Sequence, residues 1–340
     1  MYIYRLRAKT LDGKEENEEM IKGKNIALIG GAGFIGSHLA AALSKHNRVL
    51  IYDNLRRDAF TRTHLADDPR ITFVQGDVLD ADNLRDVLTK ADYIVHLAAL
   101  AGVSTVVQNP VQTIEVNTVG TYHVLKAASE NKKLKRLVFF STSEVFGSFA
   151  YKVHEDHNTI QGDVREARWH YAVSKLAGEH FVQAFYEQKK IPGVIFRPFN
   201  IYGPGQIGEG AVHHFVKNAV KNKPVVVHGD GSQIRAWCYI DDMVRAVLLS
   251  LEKKEAVGEV FNIGNPQSVL TVLDLAKRVL ALSRSKSKLI FKPIHYSEVE
   301  IRVPQIEKAK GLLGFKPLVD LDEGLKRTIN WYRTKRRFSS

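Results

Sequence analysis

Apolar residues fall in two rhythms along this chain. Short runs of Ile, Val, Leu and Phe recur at Asn25–Ile29, Arg48–Asp53, Ile71–Val74, Tyr93–Leu97, Leu137–Ser141 and Gly193–Arg197. Their nearly continuous apolar character predicts strands covered on both faces, as in parallel sheets. Between them lie longer segments of helical period, at Gly33–Lys45, Asn83–Thr89, Val111–Ser129 and Arg168–Tyr186. Strands alternating with helices predict βαβ units and an α/β fold built on a doubly wound parallel sheet. After about Arg197 the texture changes. Gly and Pro punctuate Tyr202–Gly205 and His228–Gly231, shorter elements follow, and a last helix is expected over Leu321–Arg333. The expected layout is an N-terminal extension over 1–23, a sheet domain over 24–198, and a smaller α/β substrate-binding region over 199–340. Segments of that last region have room to return to the first sheet.

The first strand runs straight into Gly30-Gly31-Ala32-Gly33-Phe34-Ile35-Gly36, and a helix begins there. Gly30, Gly33 and Gly36 stand three apart. Glycine allows a tight turn and lets backbone approach a pyrophosphate closely, while the new helix points unpaired N–H groups at the phosphates. A lone glycine motif is a weak signal. This one has a strand before it and a helix after it at the start of a βαβ unit, so the first domain reads as a Rossmann dinucleotide-binding domain. Asp53 ends the second strand 20 residues after Gly33. A carboxylate there accepts from the adenosine ribose hydroxyls and repels a 2′-phosphate, which favours NAD over NADP. Arg56 and Arg57 pull the other way. Asp77 could reach the adenine amino group, or be a plain loop carboxylate.

Tyr171 and Lys175 fall four apart, so a helix presents them on one face. An ammonium beside a phenol favours the phenolate. A phenolate beside a nicotinamide can take a proton from an alcohol while hydride leaves the carbon. Such a pair is common on surfaces and gains meaning only after a dinucleotide-binding half. Upstream, the strand Val138–Phe140 ends in Ser141-Thr142-Ser143-Glu144-Val145-Phe146-Gly147. Groups at that end of a parallel strand face the ligand crevice. Thr142 or Ser143 could bond the reacting hydroxyl, and Glu144 adds a second acid/base group.

These pieces together resemble the extended short-chain dehydrogenase/reductase superfamily, in its nucleotide-sugar branch of epimerases, dehydratases and decarboxylases. The resemblance covers about Lys24 to Tyr332. It rests on the glycine turn, Asp53-Asn54, Gly76-Asp77-Val78, His96-Leu97-Ala98-Ala99, Asn117, the 141–147 segment, Tyr171 to Lys175, Arg197–Pro204 and His228–Arg235. It implies NAD held by Gly30, Gly33, Phe34, Ile35, Gly36, Asp53, Asn54, Asp77, Val78, Leu97, Ala98, Ala99, Asn117, Tyr171 and Lys175. It implies a catalytic set of Thr142, Ser143, Glu144, Tyr171 and Lys175, and substrate contacts from Asn200, Arg235 and Arg302. Tyr171, helped by Thr142 and Lys175, would deprotonate a sugar 4-hydroxyl while C4 hydride passes to NAD. The transient 4-ketone then leads to 4-epimerisation, 4,6-dehydration, or loss of carbon dioxide from a C6 carboxylate. Thr142-Ser143-Glu144 is similar to UDP-glucuronate decarboxylases and also to GDP-mannose dehydratases, while Arg168–Tyr171 and Gly231–Trp237 with Arg302 look most like the decarboxylases. Gly205, where those enzymes commonly carry Arg, and Ala98–Val103 look more like epimerases. The resemblance also implies a homodimer built on the helices Val111–Ser129 and Arg168–Tyr186. Relatives that bind NAD without turnover keep a regulatory reading open.

Composition narrows the setting. The chain has 340 residues, 44% apolar and 25% charged, which excludes a disordered or low-complexity protein. No apolar run is long enough to cross a bilayer, and a single cysteine, Cys238, cannot form an internal disulfide. A cytoplasmic enzyme without a membrane partner is the expectation. The net charge of +12 favours anionic partners, and the resemblance implies that the partner is a nucleotide-diphosphate sugar, UDP-linked by preference. The dense basic cluster Arg333, Lys335, Arg336 and Arg337 reads as a solvated tail. No nucleic-acid motif accompanies it. His154, His157, His213 and His214 lack converging partners, so no metal is expected.

Overall fold

The computed structural model describes residues 21–338 except Arg62 and residues 295–297. Residues 1–20 of the expected extension and the side chains of Lys335, Arg336 and Arg337 lie outside the described residues. In chain order the first half gives β1 (Asn25–Ile29), α1 (Phe34–Leu43), β2 (Arg48–Asp53), β3 (Ile71–Gln75), α2 (Ala81–Leu88) and β4 (Tyr93–His96). Then come α3 (Val103–Gln108), α4 (Pro110–Glu130), β5 (Arg136–Phe140), β6 (Phe149–Val153), α5 (His170–Lys189) and β7 (Gly193–Pro198). The second half adds β8 (Ile201–Tyr202), α6 (Ala211–Val220), β9 (Val225–His228), β10 (Ile234–Ala236), β11 (Cys238–Tyr239) and α7 (Ile240–Glu252). It closes with β12 (Val260–Ile263), β13 (Val269–Thr271), α8 (Val272–Ser283), β14 (Leu289–Lys292), β15 (Ile301–Pro304), α9 (Glu307–Leu313) and α10 (Leu321–Phe338).

Seven parallel strands form the central sheet in the order β12-β7-β5-β4-β1-β2-β3. All five residues of β5 and all four of β4 are buried, as strands covered by helices on both faces must be. The chain winds outward from β1 to β3 and then returns to β4 on the other side. That reversal opens a crevice at the carboxyl ends of β1 and β4, where doubly wound folds bind ligands.

Local chemistry sets the element ends. Asp80 accepts from the Asn83 amide at 3.1 Å, so α2 starts at Ala81, earlier than its apolar period suggests. Pro110 occupies the first turn of α4, where its missing N–H is harmless. Residues 167–169 form a 3₁₀ turn, so α5 begins at His170 rather than Arg168. The two regions interleave rather than divide at 198. β12 pairs with β7 in the central sheet, while β6 leaves the first half to pair with β15 in a second sheet ordered β13-β10-β15-β6. This crossing carries Arg235 on β10 and Arg302 on β15 up to the end of β5. Among the described residues no helix is long and apolar enough to cross a membrane.

Candidate active site

The crevice holds a cavity of about 440 Å³. Its walls include Gly30, Gly33, Phe34, Ile35 and Gly36 from the turn, and Asp53, Asn54, Asp77 and Val78 from the ends of β2 and β3. Leu97, Ala98 and Ala99 follow β4, and Thr142, Tyr171, Lys175 and Asn200 close the far end. Gly30 sits at φ +81°, and a Cβ there would lie 2.4 Å from the Ala98 backbone nitrogen. Only glycine brings the turn so close to β4. Asp53 is fixed by its own loop. One carboxylate oxygen accepts from the Leu55 amide at 2.7 Å and the other from the Ala32 amide at 3.0 Å. Both oxygens keep a lone pair for a ribose hydroxyl. Asn54 donates to Asp77 at 3.0 Å and joins the two strand ends.

Tyr171 and Lys175 stand one turn apart on α5, beside Thr142 at the end of β5. Burial raises the Tyr171 phenol above its ordinary range, the charge of Glu144 raises it further, and a hydrogen bond with Thr142 lowers it. Lys175 is 1% exposed, and its ammonium has no hydrogen-bond partner among the described residues. It lies 4.7 Å from the centre of the Phe139 ring. Burial pushes its pKa down to about 7, against the raising charge of Glu179. A buried, unpartnered ammonium in a cavity floored by glycines fits the ribose hydroxyls of a nicotinamide nucleotide. Behind it, Glu179 receives two bonds from Arg197, at 2.9 and 2.7 Å, and one from Ser141, which locks α5 onto β5 and β7.

A second cluster adjoins Tyr171. Glu144 Oε1 lies 3.4 Å from Arg302 Nη1 and 3.8 Å from Arg168 Nη2. Glu298 Oε1 lies 3.2 Å from Arg235 Nη2 and 3.9 Å from Arg168 Nη2. Arg302 is 5% exposed, yet its Nε and Nη2 have no hydrogen-bond partner among the described residues. Burial lowers the Arg302 pKa, and lowers that of Arg235 to about 10. Among the described residues, three largely buried guanidinium groups stand against two carboxylates and leave a surplus of positive charge, the condition for receiving an anion.

Some expected residues stand elsewhere. Asn117 does not reach the cavity. It is fully buried, and its amide is consumed by the Leu100 N–H and C=O and by the Ser174 hydroxyl. There it shapes the loop after β4. Ser143 is buried inside the 3₁₀ turn that follows Thr142. Arg235 is turned to the 298–300 segment, donating to the Val299 carbonyl at 2.6 Å. Arg168, Glu179 and Glu298 received no role from the sequence. Arg168 had a visible signal, a cation three residues before Tyr171; Glu298 meets the site only through the pairing of β15.

The family model described as "NAD dependent epimerase/dehydratase family" matches residues 26–264. The chain belongs to that family. It is therefore an NAD-dependent enzyme. Family relatives span its chemistries. UDP-N-acetyl-alpha-D-glucosaminuronate decarboxylase of Bacillus cytotoxicus is 33% identical over 91% of this chain and 98% of that protein. The dTDP-D-glucose 4,6-dehydratase of Bos taurus is 33% identical over 91% of this chain and 89% of that protein. The solved UDP-glucuronic acid 4-epimerase of Bacillus cereus, in complex with UDP-glucuronic acid and NAD, superposes with a TM-score of 0.83 at 32% identity. That match covers 92% of this chain and 99% of that one.

Proposed function

We propose that this enzyme oxidises C4 of a nucleotide-linked hexuronate and releases carbon dioxide from the 4-ketone, with UDP-glucuronate as the first substrate to test. The observation that carries the reading is Glu144 between Arg302 and Arg168 beside Tyr171. A reaction that only returns hydride to C4 needs no such group. Loss of a carboxylate next to the reacting carbon does need cations, to hold the carboxylate and then the enolate it leaves.

The residues divide the work. Thr142 and Tyr171 meet the 4-hydroxyl, and Tyr171 takes its proton. NAD supplies the hydride acceptor and donor. Lys175 gains partners from the nicotinamide ribose and holds a positive charge near the phenolate. Arg302 and Arg168 draw the C6 carboxylate toward Glu144. Once carbon dioxide has left, C5 takes up one proton that comes from solvent, and Glu144 stands on that side to relay it. Asn200, which lines the cavity, sits at φ +42° and donates to the Ala236 carbonyl, and we assign it to the substrate diphosphate. The relatives that act on glucosaminuronate and glucuronate support a C6 carboxylate in the substrate.

One observation favours a second reading, hexuronate 4-epimerisation. The cavity has no arginine following Pro204, where Gly205 stands at φ +76°. Both readings share the hexuronate. The apolar side chains Val111, Ile114, Tyr122 and Val173 stand exposed on α4 and α5, and we assign them to a homodimer contact. Incubation with NAD and a panel of UDP-, GDP- and dTDP-sugars, read by mass spectrometry, tests the reaction. A product lighter by one carbon dioxide supports decarboxylation. A product lighter by one water, or of unchanged mass, refutes it.

A further inference from the structure

Three segments meet over the cavity mouth, and one carboxylate joins them. Glu209 belongs to the loop between β8 and α6. Its Oε2 accepts from the Ser104 amide at 2.7 Å, and its Oε1 accepts from the Thr105 amide at 3.0 Å and the Thr105 hydroxyl at 2.8 Å. Ser104 and Thr105 open α3, on the chain that follows β4. The third segment follows β2. Arg57 Nη2 donates to the Ala101 carbonyl at 2.7 Å and to Thr105 Oγ1 at 3.1 Å, and lies 3.7 Å from Glu209 Oε1.

The loop carrying Glu209 passes directly across this joint. A Cβ on Gly208 would come within 2.9 Å of the Arg57 guanidinium, and a Cβ on Gly102 within 2.7 Å of the Glu209 carboxylate. Gly102 sits at φ +96° and Gly208 at φ +91°, so both loops take shapes that glycine permits. Gln206 and Ile207, just before Glu209, line the cavity, as do Arg57 and Ala101. The root of the loop is anchored: the Tyr332 hydroxyl on α10 donates to the Gln206 carbonyl at 3.0 Å, and the Gln206 amide donates to the Ile201 carbonyl at 3.1 Å. The arrangement is a strap tied at one end to the C-terminal helix and at the other, through Glu209, to the two loops of the dinucleotide half.

We propose that Glu209 latches this strap over the bound dinucleotide and keeps NAD in place from one turnover to the next. The need follows from the chemistry. In epimerisation, and in dehydration or decarboxylation that ends in re-reduction, the hydride removed at the start comes back at the end, so a cofactor that left midway would strand the intermediate. Retention rests on the reading above only in that respect; cofactor release itself is measured without any sugar.

The test uses the full chain loaded with NADH and chased with excess NAD, with loss of bound-NADH fluorescence read in a stopped-flow instrument. Glu209→Ala should release NADH about tenfold faster or more, a change of about 1.4 kcal/mol in barrier. Thr105→Val removes only the hydroxyl and should fall between that variant and the parent. Glu209→Ala should also emerge from gel filtration depleted of dinucleotide, with turnover restored by added NAD. Release at the parent rate in both variants overturns the proposal. So does a loss of turnover that added NAD fails to restore, since that would place Glu209 in the chemistry. Should Glu209→Ala not fold, Glu209→Gln and Thr105→Val decide by the same release rate. A sugar panel without decarboxylation would sink the functional reading and leave the release experiment intact.

Discussion

Lys175→Met should make the cofactor-free protein more stable while ending its activity. The parent holds an ammonium at 1% exposure with no hydrogen-bond partner among the described residues, and burial moves its pKa from 10.5 to about 7. That difference of 10.5 − 7 pH units corresponds to at most ~5 kcal/mol at about 1.4 kcal/mol per unit. Unfolding entropy of about 2.1 cal/mol/K per residue gives ~0.7 kcal/mol/K for this chain, so the gain is at most ~7 °C in Tm. Methionine fills the same stem volume without the charge. The sign with pH is fixed. Between about pH 7 and 10.5 the unfolded chain binds more protons at this lysine than the folded one, so the parent gains stability as pH rises through that window. Below pH 7 the full penalty is present. The variant lacks it everywhere, so its advantage should be largest at and below pH 7 and vanish by about pH 10.5. Melting curves of both proteins, stripped of dinucleotide and recorded from about pH 6 to about pH 10, measure this. A variant less stable than the parent at about pH 6.5, or an advantage that does not change with pH, would refute the claim that an unpaired charge waits for the cofactor.

Further outcomes follow from the same geometry. Tyr171→Phe should abolish turnover by at least ~10²-fold while dinucleotide binding, followed by fluorescence titration, stays near the parent value. Glu144→Gln should stop carbon dioxide release from UDP-glucuronate, measured as product mass, yet leave exchange at C4 detectable. Gly30→Ala puts a methyl 2.4 Å from the Ala98 backbone in a left-handed conformation, and should lose NAD binding by at least ~10-fold in equilibrium titration.

The parts of this protein that were legible in the sequence are those governed by local rules. β1 and β2 occupy the ranges their apolar runs predict, because strands buried on both faces leave an unbroken apolar record. The glycine turn and the Tyr171–Lys175 spacing could be read because each is contained within one or two helical turns. What could not be read arises from long-range pairing. β6 looks like a loop with alternating residues, and its membership in the second sheet depends on β15, far along the chain. The Glu144–Arg302 contact spans that same pairing, so resemblance could suggest both residues but not their meeting. The bonds that Asn117 makes to the Leu100 backbone and Ser174 could not be read either, because a buried asparagine serving backbone groups and one serving a ligand look alike in sequence. Glu209 carried no signal, since a carboxylate in a glycine-rich loop is ordinarily a solvated side chain.

The account stands on reversible oxidation at C4 within one turnover. UDP-glucuronate deuterated at C4, incubated with the enzyme and NAD, tests it most directly. The product is predicted to have lost carbon dioxide and to carry the deuterium at C4 again, with absorbance of reduced nicotinamide rising and falling during the reaction. Product in which that deuterium is absent from C4, or formed with no transient reduced nicotinamide and no isotope effect, would contradict it.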